Sequence, residues 1–139
     1  MVIISTALAI GWWRGGHTER FAVAVLIWDG ALTRAASGMP GGHELVAASE
    51  FIVAVIFTWL AFRSQRWWTL VAAAGLMLCV LVFILEWTTP GLSRYAAVSA
   101  RLGLWCLVML SLVAGVFERW LAGEAPVSEG ARWRRRKPA

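Results

Sequence analysis

The chain has 139 residues, of which 60% are hydrophobic and 15% charged, with a mean hydropathy of +0.68. An ordinary soluble domain carries about 25% charged residues, so these 13 basic and 8 acidic side chains, many of them in one tail, are too few to coat a water-facing surface. The apolar content excludes a disordered chain, and the 2 cysteines, both inside apolar runs, exclude a disulfide scaffold.

What remains is an all-α fold: an integral membrane helical bundle with four or five transmembrane helices and short loops. Its first expected helix covers residues 1–13. At 1.5 Å per residue it reaches only about 20 Å, short of a hydrocarbon core about 30 Å thick. It either spans partially, continues through Gly15 and Gly16, or lies in the interface. It is not expected to be a cleaved signal peptide, because no positive side chain precedes Arg14. The second helix is expected over 21–36, with Asp29 and Arg34 inside it. Pro40, Gly41 and Gly42 break the chain, and the third helix follows over 45–62. After the RSQR break, residues 67–85 form the cleanest run, 19 residues without a charge. A loop over 86–95 holds Pro90 and Gly91. The fifth helix covers 96–121, with Arg101 near its start and Glu118 and Arg119 near its end. The bundle thus takes residues 1–121, and residues 122–139 form a basic cytoplasmic tail.

Charge gives the bundle a direction. Alternate loops put Arg14, Arg20, Arg63, Arg66, Arg119 and the tail's Arg132, Arg134, Arg135, Arg136 and Lys137 on one side, and only Arg34 and Arg94 on the other. Basic loops stay in the cytoplasm, so the expected location is the bacterial inner membrane, multi-pass, with the C-terminus cytoplasmic. The net charge of +5 and pI near 10.6 then call for no nucleic acid. The tail, with Trp133 among its basic residues, suits contact with anionic lipid. Trp12, Trp13, Trp59, Trp67, Trp68, Trp87 and Trp120 fall near expected interfaces, where an indole buries its ring and keeps its N–H wet. Trp28 and Trp105 fall at depth.

Ionisable groups inside a bilayer are the residues to explain. Asp29 lies about 12 Å from the inner side, and Glu50 and Arg101 each lie about 8 Å from the outer side, by helical rise. Glu50 and Arg101 are therefore expected to meet across the third and fifth helices, with Asp29 deeper and Arg34 nearer the outer face. This polar cluster reads either as a structural ion pair that locates helices or holds a partner, or as a proton or ion path through Asp29 and Glu50. No catalytic, cofactor-binding or metal-binding residues are expected. His17 and His43 fall on opposite sides, no nucleophile or zinc spacing is present, and Cys79 and Cys106 read as small apolar fillers. Four small-residue pairs spaced by four (Ala7/Gly11, Ala31/Ala35, Ser99/Gly103 and Ser111/Gly115) permit close helix approach.

The stretches GWWRGGHTERFAVAVLI (11–27), RSQRWWTLVAAAG (63–75) and LSRYAAVSARLGLW (92–105) resemble a group of small proteobacterial multi-helix membrane proteins. The resemblance implies the architecture and no activity. Small multidrug transporters are of similar size, but they place a functional Glu in their first helix, where this chain has no acid. Phage holins are similar in size and in having a basic tail. The expected function is a non-enzymatic membrane protein, an accessory or structural subunit docking a partner protein or another copy within the bilayer. The alternative is a small channel, holin-like pore or transporter using Asp29 and Glu50.

Overall fold

A computed structural model describes residues 6, 8–9, 11–13, 15–64, 66–89, 91 and 93–123. The expected lipid-contacting tail, Arg132 to Lys137, lies outside the described residues. Four long helices are seen: α1 (His17–Ala36), α2 (Gly42–Arg63), α3 (Trp67–Thr88) and α4 (Arg94–Leu121). Residues 6, 8–9 and 11–13, which precede them, are also helical. No strand occurs among the described residues. α2, α3 and α4 are each long and apolar enough to cross a membrane. α1 has 20 residues, but Glu19, Arg20, Asp29 and Arg34 interrupt its apolar character.

The helices run past the apolar boundaries, and each extension has a local cause. α1 begins four residues before the expected 21, because Glu19 sits in its first turn and accepts a 2.9 Å hydrogen bond from the Gly16 backbone N–H. A carboxylate there satisfies a free helix donor and suits the positive end of the helix dipole. α2 opens at Gly42 rather than 45. A Cβ at Gly42 would stand 2.1 Å from the Ala36 carbonyl oxygen, so only glycine lets the turn fold back so tightly. α3 continues through Glu86 and Trp87, both expected in a loop, and ends where Thr89 turns extended at the residue before Pro90. α4 starts at Arg94 behind Ser93, two residues earlier than expected.

Neighbouring helices pack in chain order. α3 stands between α2 and α4 and packs closely on both, whereas α1 and α4 touch only sparingly. Gly11 sits in that seam: a Cβ there would lie 2.8 Å from Val23 of α1 and 3.4 Å from Leu112 of α4. Small residues also bring α3 to α4. Gly75 faces Val108, and Gly115 gives way to the fully buried Trp68. The core is contiguous and apolar, built from Ala22, Val23 and Leu26 of α1, Val53, Ala54 and Phe57 of α2, Trp68, Ala72 and Leu76 of α3, and Val108, Met109 and Leu112 of α4. Large apolar side chains also coat the outside, among them Phe51, Phe62, Leu70, Leu102 and Leu110. A water-soluble monomer rarely carries an apolar surface of that extent.

Candidate functional site

The described polar residues gather at the two ends of the bundle. At the end holding the α1–α2 turn, a cleft of about 780 Å³ opens between the last turn of α1, the start of α2, Trp87 of α3 and the first half of α4. Its polar lining includes Thr33, His43, Glu44, Glu50, Arg94 and Arg101, and Trp87 and Trp105 supply aromatic wall. Glu50 is 6% exposed. One of its oxygens accepts a 3.4 Å hydrogen bond from Trp105 Nε1, and the other, Oε2, is buried without a hydrogen-bond partner. Asp29 is 1% exposed and accepts a hydrogen bond from the Ser49 hydroxyl, which ties α1 to α2.

The expected Glu50–Arg101 contact is replaced by two others. Arg101 Nη2 lies 3.7 Å from Glu86 Oε2, and its guanidinium stands 3.9 Å from the centre of the Phe83 ring. His43 reaches the same Glu86 oxygen at 3.9 Å and packs against Phe83 and Trp87. The cause is packing order. α3 separates α2 from α4, and its extension by three residues, to Thr88, carries Glu86 to the face where Arg101 arrives. Trp105, one turn further along α4, has an indole long enough to reach Glu50. Arg34 is exposed on α1 and makes no ion pair among the described residues. Asp29, Glu50 and Arg101 are thus gathered inside this chain, while Arg34 stands apart.

The opposite end holds a constellation that sequence reasoning missed. Glu19 is fully buried, with Arg119 Nη1 3.3 Å from its Oε2 and Arg66 Nη1 3.5 Å from its Oε1. Gly16 belongs to the same arrangement, since a Cβ there would fall 1.5 Å from Arg119 Nη1. The node joins the start of α1, the α2–α3 turn and the end of α4. Arg20 adds a 3.1 Å bond from its Nε to the Trp12 carbonyl oxygen, which holds the N-terminal segment. The available signal was a single acid, Glu19, lying among loops whose other charges are Arg14, Arg20, Arg63 and Arg66.

Between the two ends the buried side chains among the described residues are apolar apart from hydroxyls bonded within or beside their own helices. From Glu19 to Asp29 is ten residues, about 15 Å along α1, and the buried residues between them are Ala22, Val23 and Leu26. Ser111 bonds the Val108 carbonyl of its own helix, and Thr69 bonds the Arg66 carbonyl. No group of three or more potential metal-ligating residues occurs among the described residues. Cys79 is buried and Cys106 exposed, both as free thiols. No protein-family model matches this sequence, and neither a curated protein nor a solved structure matches it.

Proposed function

We propose that this chain is a multi-pass membrane protein of four or five spans and a non-enzymatic accessory or structural subunit, which docks a partner protein or a second copy within the bilayer. The carrying observation is the apolar core that separates the Asp29–Glu50 region from the Glu19 node. Buried ionisable groups at both ends, with apolar packing between them among the described residues, favour a scaffold over a continuous polar path. Two of the four small-residue pairs support docking. Gly11 and Gly115 are spent inside the bundle, but Ala31/Ala35 on α1 and Ser99/Gly103 on α4 face outward, and a Cβ at Gly103 would meet nothing within 4 Å. Such faces let helices approach closely in lipid. The arginines of the Glu19 end support an inner-membrane orientation with that end and the C-terminus in the cytoplasm.

Solubilisation from native membranes in mild detergent tests the proposal. A stoichiometric partner or a dimer is expected, and it should be lost on Gly103→Leu. A clean monomer, unchanged by that substitution, would sink it. The second reading, a channel or transporter, is favoured by the cleft that reaches Glu50 from one end. It requires proton or ion flux in liposomes that disappears in Asp29→Asn.

A further inference from the structure

We propose that the cleft at the α1–α2 turn is a binding site for a primary ammonium group, held on the under-satisfied carboxylate of Glu50. This goes beyond the docking reading and does not depend on it. Glu50 is nine-tenths or more buried and lines the cleft, yet its Oε2 has no hydrogen-bond partner and its Oε1 has one long bond from Trp105. A carboxylate removed from water needs donors and a compensating charge. Arg101 acts on Glu50 only through its charge and gives it no hydrogen bond, because its guanidinium lies against Glu86 and the Phe83 ring. An ammonium supplies both needs at once, with one N–H directed at the Glu50 carboxylate from the cleft.

Arg94 and Arg101 line the cleft beside Glu44 and Glu50, so the fitting ligand is an organic ammonium that also carries an anionic group. Trp87 and Trp105 line the cleft, and indole faces attract cations. A desolvated metal ion would need several oxygen ligands, and the lining carboxylates are only Glu44, at the exposed rim, and Glu50. The volume of about 780 Å³ falls within the range of small-molecule sites. Arg94, exposed on the rim, can meet an anionic group on the same ligand. A primary ammonium has two sources here, a free amine from the aqueous side or an aminophospholipid headgroup from the bilayer.

The test uses the full chain in nanodiscs of phosphatidylcholine, titrated calorimetrically with ethanolamine and, separately, with ethylene glycol as the neutral analogue. Saturable ethanolamine binding is expected, with none for the diol. Glu50→Gln should weaken it by about tenfold or more, the usual effect of losing a charge-assisted bond. Replacing half of the lipid by phosphatidylethanolamine distinguishes the sources. Suppressed ethanolamine binding identifies the headgroup as occupant, and unchanged binding identifies a free amine. Absent ethanolamine binding, equal binding of the diol, or binding unaffected in a folded Glu50→Gln protein would each overturn the proposal. Should Glu50→Gln not fold, the comparison of ethanolamine with the diol decides alone.

Discussion

Asp29 and Glu19 show how differently two buried carboxylates can be provided for. Asp29 has one hydroxyl partner, Ser49, on the adjacent helix. Ser49→Ala leaves a buried carboxyl without its donor, and a loss of about 1–3 kcal/mol is expected, read as a lower midpoint in denaturant titration of the detergent-solubilised protein. Glu19 has two arginines and a backbone N–H. Removing its charge in Glu19→Gln leaves the arginines facing each other, and roughly 3 kcal/mol is expected to be lost. A double-mutant cycle with Arg119→Gln checks that figure, since an independent pair would give additive losses. That Asp29, Glu50 and Arg101 gather toward one end of the bundle was legible in the sequence, because helical rise converts position into height along each helix. Their partners were not, because partnership depends on which helices are neighbours. Glu86 looked like a loop residue until α3 was seen to extend past it.

The apolar runs mark the long helices well, since a run of that length has few other places to go. Helix ends were less legible, because side chains such as Glu19 and glycines such as Gly42 set them rather than hydrophobicity. The glycines themselves differ sharply in what they do. Gly115 lies against the Trp68 ring, where an added Cβ would approach to 2.3 Å. Gly115→Ala is therefore expected to destabilise the α3–α4 contact by about 1–3 kcal/mol, the usual range for overpacking, with partial recovery in the double variant carrying Trp68→Phe. Gly103→Ala should instead leave the monomer fold intact or firmer by up to about 1 kcal/mol, from helix propensity alone. The same unfolding titration separates the two.

For the molecule as a whole, the arrangement of arginines predicts a direction of insertion that can be read by labelling. In a chain carrying Cys79→Ala and Cys106→Ser, Ser37→Cys is expected to react with a membrane-impermeant maleimide added outside intact cells. Ser64→Cys should react only after permeabilisation, and the reverse pattern would invert the proposed orientation. The contact between Glu19 and Arg119 carries a consequence of another kind. Its partners are 100 residues apart in sequence, whereas consecutive helices find one another as each is made. At a synthesis rate of about 5–20 residues per second, the first helix waits for several seconds before the last one emerges. Through that interval Glu19 lacks Arg119, and the seam between α1 and α4 stands open. Completion of the node is therefore a late event in assembly, and a nascent chain ending before α4 would expose an unfinished surface by which a quality-control protease could distinguish it from the finished bundle.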